Sequence, residues 1–583
     1  MSETELSKKK RILGVFLRLF SPLIFLAKTL YFWLICLGFA VITFIAHPPV
    51  GIWPLSFFVY AILISYTLQK TPLQAFWVGL IAGTLTNTLL YMWLHVLSRF
   101  NPAIYLGIPA LGLFQGLFLG VSLCVMQVCF VRMPRLPAAF AATGWFLLVE
   151  WIRANGPLGA PYAQAGHPLI EAYGIRQWAA VGGVLLLTCI VMLFNLSVAC
   201  LWDRYRRNSW NRTATFKAII AASALGFFFA VGAYFRTQLN AQLLNAPTLN
   251  VAILQTNISQ ELKFASYTET DPATRENLQK QLLDRVFEML TELESIDPKP
   301  DLILTPESCF TIDDFDRNFP ILLELQLSAN RLGAPILVGS TDLTFRKADG
   351  SLTDIMEEAQ ILTSSEGFQY YDYEVSNALF LFKPQQVPNT PKAADYTKIH
   401  LMPFGETVPF FNIIPGFVEN VVQVGMMLPG DKSQDALSIE LRNKQVVKLG
   451  ATICFEDMFP GLYFKYNREG ANLLVNSTNN AWFDPGWGAE YHFAYSRFRA
   501  IEFQTSAVRA TNTGISAVTL PTGNVMKRLP REQQLIDVIE IPYFTNATPT
   551  IYGRFGEWVA WLSLFISALS LYFLLRKKIT CLK

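Results

Sequence analysis

Long apolar runs separated by short charged ones fill the first 235 residues, and one more such run closes the chain. A bilayer core takes about 20 apolar residues in a helix. Stretches of that kind lie near 29–46, 53–69, 73–96, 105–130, 136–152, 179–202, 215–235 and 557–575, which predicts a membrane helical bundle of eight spans. Lys and Arg collect on the cytoplasmic side of such helices. With the amino terminus inside, the inner segments carry Lys8–Arg11, Lys70, Arg132 with Arg135, the run from Arg204 to Lys217, and Arg576–Lys578. The outer loops then hold little beyond Arg99, Arg153 and Arg176. The predicted division is a cytoplasmic start at 1–28, seven helices over 29–235, an extracytoplasmic domain over 236–556, and a last span with a basic tail at 557–583.

Residues 12–28 are apolar too, but Arg18, Pro22 and Lys28 favour an amphipathic helix on the inner membrane surface over a ninth span. No small-residue cleavage site follows the basic start, so it does not read as a signal peptide. The outer loop 153–178 is rich in Gly and Pro, which favours turns. It is expected either to dip back among the helices or to run over the surface.

Between 248 and 542 the pattern changes. Short apolar runs at Leu249–Leu254, Leu302–Leu304, Ile336–Val338, Ala378–Phe382, Val446–Ile453, Leu473–Val475, Ala507–Ala510 and Ser516–Leu520 have strand length and many β-branched residues. Amphipathic helical stretches at 272–295, 318–332 and 489–504 separate several of them, which predicts an α/β domain.

Composition agrees with a membrane protein. Mean hydropathy is +0.32, and 16% of the 583 residues are charged, against about 25% in soluble proteins. A net charge of +3, with no basic run interleaved with aromatics, sets nucleic acid aside. Only Cys309 and Cys454 of the eight cysteines fall in the polar insertion, so there is no disulfide framework. The five histidines form no metal-binding pattern, and neither metal nor cofactor is expected.

Three segments carry the chemistry: Leu304-Thr-Pro-Glu307-Ser, Tyr396-Thr-Lys398-Ile-His-Leu-Met-Pro-Phe-Gly-Glu406 and Thr452-Ile-Cys454-Phe455-Glu456. Each follows a strand-like run, where α/β folds gather reactive groups. A thiol needs a base or cation to become a nucleophile, and a developing oxyanion needs a cation or N–H donors. Cys454 is therefore the candidate nucleophile, and Glu307 the base, its pKa expected to be raised by burial. Lys398 is the candidate oxyanion stabiliser. Glu406 and Glu456 are supporting candidates: Glu406 for orienting Lys398 or relaying a proton, Glu456 for holding the loop or the lysine, with a purely structural role open to either. Cys309 shares a face with Glu307 if its strand continues. His400 reads as a packing residue.

Further segments extend the match: Asn479-Asn-Ala-Trp482-Phe, Arg497-x-Arg-Ala-Ile-Glu502, and Arg509-Ala-Thr-Asn-Thr-Gly-Ile-Ser516. Together these residues resemble the nitrilase, or carbon–nitrogen hydrolase, superfamily, whose Glu–Lys–Cys triad sits on an α/β/β/α sandwich. With eight spans and the His47-Pro-Pro-Val-Gly-Ile-Trp-Pro-Leu segment, the chain resembles that superfamily's membrane-bound apolipoprotein N-acyltransferase family. The resemblance implies a phospholipid acyl donor, a diacylated apolipoprotein acceptor and a cysteine thioester intermediate. It also implies a monomer in the bacterial inner membrane with its catalytic domain on the periplasmic side, and substrate contacts at Phe455 and Trp482. The family usually has Cys-Tyr-Glu where this chain has Cys454-Phe455-Glu456, and often Phe-Pro-Trp where it has Ala160-Pro-Tyr162. Two other functions fit less of the pattern: a membrane-tethered amidohydrolase and an inactive lipid-binding scaffold. Large substrates also call for an apolar rim, expected at Phe410, Phe411, Ile413, Ile414, Phe417, Trp482, Phe483 and Trp487.

Overall fold

A computed structural model describes residue 21, residues 29–310 except 157, 158 and 160, residues 319–387 except 350, 354–359, 364–368 and 372, residues 393–407, and residues 427–580 except 547. The region 12–28 therefore lies almost wholly outside the described residues, as do Phe410, Phe411, Ile413, Ile414 and Phe417 of the expected rim. The chain forms two compact units, one from residues up to 236 together with 557 onwards, the other Thr237–Gly556.

In the first unit a helix stands at each of the eight predicted places: Leu30–Ala46, Ser56–Thr67, Pro72–Leu90, Ile104–Arg132, Arg135–Asn155, Ala179–Arg206, Arg212–Leu243 and Trp558–Thr580. Among the described residues, five helices are long and apolar enough to cross a membrane. Leu30–Ala46 and Trp53–Thr67 are apolar but shorter, and Arg135–Asn155 carries Glu150 and Arg153 in its last turns. Helices Pro72–Leu90 and Ile104–Arg132 pack backbone to backbone across glycines. A Cβ at Gly79 would meet the Leu119 carbonyl at 2.7 Å, and one at Gly116 the Leu80 carbonyl at 2.7 Å. Small residues permit that approach where apolar burial gives no drive between helices in lipid. Arg153, buried in this unit, is paired with Glu150 at 3.0 Å and donates to Gln115 and the Tyr162 carbonyl. The described part of loop 161–178 is mostly buried among the helices instead of running over a surface.

The second unit is a sandwich of two mixed sheets. In the first, β1 (Thr248–Gln255), β2 (Leu302–Leu304) and β3 (Ile336–Arg346) run parallel. A short β4 (Leu352–Thr353) pairs with β3. A separate two-stranded ribbon joins β5 (Ile361–Thr363) to β6 (Gln369–Tyr371). Next, β7 (Tyr373–Phe382) pairs antiparallel with β3, and β8 (Tyr396–Thr397) with β7. The second sheet contains β9 (Leu437–Glu440), β10 (Val446–Ile453), β11 (Leu473–Thr478), β12 (Ser506–Thr511), β13 (Ala517–Thr519) and β14 (Val525–Arg528). Finally, β15 (Leu535–Pro542) returns to the first sheet antiparallel to β1.

Strand periodicity assigns the layers. Val251, Ile253, Leu302, Leu304, Leu337 and Leu379 face inward onto Leu449, Ile453, Leu473, Val475 and Val508 of the second sheet. Their neighbours Ala252, Leu254, Ile303, Val338 and Phe380 face outward onto helices Pro272–Leu293 and Phe319–Leu332. A period of two puts successive side chains on opposite faces, so fully apolar strands mean sheets buried on both sides. Asp271 caps helix Pro272–Leu293 through the Thr274 N–H at 2.9 Å, and Pro272 occupies the first helical position. Helices Pro460–Arg468 and Gly488–Phe503 cover the second sheet, giving the α/β/β/α layering. Strand β15 carries Asp537 and Glu540, which break its apolar run; the sequence pattern does not announce it.

Gly339 on β3 lies under the loop that carries Glu307. A Cβ there would meet the Pro306 carbonyl oxygen at 2.3 Å and the Glu307 Cα at 2.9 Å, both backbone atoms that cannot step aside. Gly339→Ala should lower the melting temperature through an overpacking cost of about 1–3 kcal/mol. Gly461→Ala, where the added methyl meets nothing within 4 Å in a helix, should not lower it. Thermal unfolding of both variants checks this, and equal melting temperatures would contradict it.

Candidate active site

Three chain segments converge where strands of the two sheets end. Strand β2 stops at Leu304, and the Thr305 hydroxyl then accepts from the Gly339 N–H at 3.1 Å while its carbonyl accepts from Ser477 of the other sheet at 2.9 Å. The next residues turn sharply, with Ser308 at φ +47°. That turn aims the buried carboxylate of Glu307 into the site and sends Cys309 into the core, where its S–H meets Thr305 and the Gly339 carbonyl. The strand does not continue, so Cys309 does not share the face of Glu307 as the sequence suggested.

Lys398 follows β8 and is 1% exposed. Its Nζ donates to Glu307 Oε1 at 3.0 Å and Glu406 Oε1 at 2.7 Å. Asn377 of β7 links the same oxygens, its Nδ2 donating to Glu307 at 2.7 Å and Glu406 at 3.1 Å. The Asn479 N–H donates to Glu307 Oε2 at 2.7 Å. A carboxylate offers about four acceptor positions and an ammonium three donors. Among the described residues, one acceptor position on Glu307 Oε2 and one Lys398 N–H are left for a reacting group.

Cys454 ends β10 in the left-handed region, at φ +52°, a conformation that costs a non-glycine residue about 1–3 kcal/mol. Its carbonyl accepts from Asn476 Nδ2 at 3.1 Å. Glu456, two residues on, is fully buried and accepts four hydrogen bonds. Oε1 takes the Ile399 and His400 N–H groups at 2.6 and 2.9 Å; Oε2 takes the Ile453 N–H and the Tyr396 hydroxyl, both at 2.8 Å. One carboxyl thus ties the loop after Lys398 to the end of β10. Phe455 is buried edge-on to Phe459, so the hydroxyl missing at 455 leaves neither Glu456 oxygen without a donor. His400 stacks on Phe459 at 4.5 Å, and burial lowers its pKa to about 4. Trp482 lies half-buried in the turn Ala481–Phe483.

Burial alone would raise the pKa of Glu307, but the Lys398 ammonium and the bonds from Lys398, Asn377 and Asn479 outweigh it and hold the carboxyl below its ordinary range. This corrects the expectation of a raised pKa. Lys398 shifts well upward: burial opposes its charge, yet Glu307, Glu406 and Cys454 more than compensate. Burial, then the negative charge of Glu307, lifts the Cys454 thiol well above its ordinary value, against the pull of Lys398. The resting site is therefore a carboxylate, an ammonium and a neutral thiol.

Asn377 and Asn479 as donors to the base were not foreseen as such. The signal for Asn377 is a polar Ser376-Asn377 pair directly before the apolar run Ala378–Phe382.

Known families and proteins resemble the chain in both of its units. Residues 251–542 match the carbon-nitrogen hydrolase family model, and residues 39–197 that of the apolipoprotein N-acyltransferase N-terminal domain. The chain is 25% identical over 573 residues to apolipoprotein N-acyltransferase 1 of Treponema denticola, covering 95% of this chain and 98% of that one. It is 28% identical over 560 residues to the apolipoprotein N-acyltransferase of Haemophilus ducreyi, covering 94% and 97%. The enzyme of that name from Gloeobacter violaceus is 27% identical over 542 residues, covering 90% and 91%.

Burial lifts the Glu456 pKa from its ordinary 4.5 to about 7. A carboxyl raised on folding holds its proton more tightly in the native state, so its contribution is full below the unfolded value and is lost as pH rises. Wild type should lose stability between about pH 4.5 and 7 through this group, and Glu456→Gln should lack that component. Denaturant unfolding of both across that range reads the difference; parallel pH curves would contradict it.

Proposed function

The chain belongs to the carbon–nitrogen hydrolase family, and from that premise we propose that it transfers an acyl chain from a phospholipid to the amino-terminal amine of a diacylglyceryl-cysteine on lipoproteins. One observation carries the reading: Lys398 bridges Glu307 and Glu406 beside Cys454, in a chain whose other unit has helices long and apolar enough to span a membrane. The relatives named apolipoprotein N-acyltransferase align with both parts.

The chemistry follows from the positions left open. A donor ester carbonyl approaches Cys454, and the thiol proton passes to the vacant position on Glu307 as sulfur attacks. Carbon–sulfur bond formation puts negative charge on the carbonyl oxygen, which the remaining Lys398 N–H stabilises. Collapse of the tetrahedral species breaks the ester bond, and the lysophospholipid oxygen leaves with the proton from Glu307. The acceptor amine then attacks the thioester, gives a proton to Glu307 and leaves as an amide, while Cys454 recovers its proton. Glu406 keeps Lys398 oriented throughout. Because Lys398 draws on Glu307 at rest, moving its charge towards the oxyanion raises the proton affinity of Glu307 when a base is needed. Trp482 is proposed as a contact for the incoming substrate. The chain is proposed to act as a monomer.

Eight spans with the catalytic unit on the periplasmic side of the inner membrane complete the proposal, supported by the Arg204–Lys217 and Arg576–Lys578 runs. A membrane-tethered amidohydrolase is the second reading, favoured by the family match alone.

Incubating the full chain with phosphatidylethanolamine vesicles should raise its mass by one acyl group on Cys454, removable by neutral hydroxylamine. A diacylated cysteine peptide should then discharge it. Cys454→Ala should not load, and Glu307→Ala should load at least about 100-fold more slowly, within the range a positioned base supplies. Transfer to the peptide by Cys454→Ala would contradict the covalent mechanism, and discharge to water in preference to peptide would favour the amidohydrolase.

A further inference from the structure

Lys263 has no part in the chemistry above. It lies on helix Gln260–Thr268 and is 3% exposed. Its Nζ donates to the Ser308 carbonyl at 2.8 Å, at the left-handed residue directly after Glu307. Gln260, one turn earlier, accepts from Asn479 Nδ2 at 3.1 Å, and Asn479 in turn donates its N–H to Glu307. Residues three apart share a helix face, so one face of this helix secures both sides of the base: the turn that carries it and the amide that binds it.

A buried ammonium holding a single carbonyl is an expensive way to fix a loop, since a neutral donor would serve as well. Its charge has a use because Glu307 lies within electrostatic reach. We propose that Lys263 is a positioning residue for Glu307, its ammonium clamping the Ser308 carbonyl so that the carboxylate keeps its register with Lys398 and the Asn479 amide. The role rests on the reading of Glu307 as the base of acyl transfer.

Burial lowers the Lys263 pKa from 10.5 to about 8, opposed by Cys309 and Glu307. Those two, from the turn after β2, are the titratable groups whose charge reaches it. On its own helix the neighbouring charge is Glu261, and from the packed helix Pro272–Leu293 Arg285 donates to the Thr256 and Asn257 carbonyls instead. The neutral amine still reaches the carbonyl but loses the charge that Glu307 feels, so the rate should fall as pH rises through about 8. Lys398 is held well above that range and does not produce the same limb.

The test uses the full chain as Lys263→Met and Lys263→Arg, with two acyl donors across neutral to alkaline pH. Phosphatidylethanolamine vesicles report loading of Cys454 by mass, and p-nitrophenyl butyrate reports the same acylation as a burst without any lipid. Lys263→Met should slow acylation about 10- to 100-fold, part of what a positioned base supplies, with little change in half-saturating donor concentration. Lys263→Arg should keep most of the rate and lose the alkaline fall, because a guanidinium stays protonated. Wild-type acylation by Lys263→Met, or an unchanged alkaline fall in Lys263→Arg, would overturn the assignment. If Lys263→Met does not fold, the pH profile of Lys263→Arg decides alone. If vesicles load no variant while the ester burst keeps this pattern, the phospholipid reading fails and the role of Lys263 stands.

Discussion

The site is organised around one buried ammonium. Lys398 is removed from water, and an ammonium in that position is tolerated only where opposite charge and hydrogen bonds compensate its lost hydration. Glu307 and Glu406 supply the charge, and Asn377 ties their two oxygens together from a third segment. Removing one member of such a group leaves an uncompensated buried charge, at a cost of about 3–5 kcal/mol. The convergence of β2, β7 and the loop after β8 is thus a condition of stability as well as of chemistry. Glu456 performs a parallel task for the backbone by joining the Ile399–His400 amides to the end of β10.

The same charges bear on the resting state of Cys454. Burial disfavours a thiolate at Cys454 most, and the negative charges of Glu307 and Glu406 add to it against the pull of Lys398. Glu307, drawn down by Lys398 against the effect of its burial, is a weak proton acceptor at rest. The left-handed backbone at Cys454 and the Asn476 bond to its carbonyl fix the local geometry of that residue.

Much of this was legible in the sequence. The eight strand-like runs all became strands because sheets buried on both faces need continuous apolar segments, and Val251 to Leu254 or Leu302 to Leu304 admit no polar alternation. Strand β15 escaped notice because Asp537 and Glu540 interrupt it, and its position depends on pairing with β1, some 290 residues away in sequence. Glu307, Lys398, Cys454, Glu406 and Glu456 were named from strand ends and motif, and the fold brings all five together. Asn377, Lys263 and Gln260 had no motif to mark them, since they act through neighbours that only the folded chain supplies. The downward shift of Glu307 was missed for the same reason: burial can be guessed from sequence, whereas a 3.0 Å ammonium cannot.

The central claim is that Cys454 rests as a neutral thiol and is deprotonated only in the presence of substrate. The pH dependence of thiolate absorbance, taken as the difference between wild type and Cys454→Ala, measures this directly. A thiolate difference that is absent at neutral pH and grows only well above the ordinary thiol value of 9.0 is the predicted result. A thiolate already formed at neutral pH, as in a resting thiolate–ammonium pair with Lys398, would contradict it.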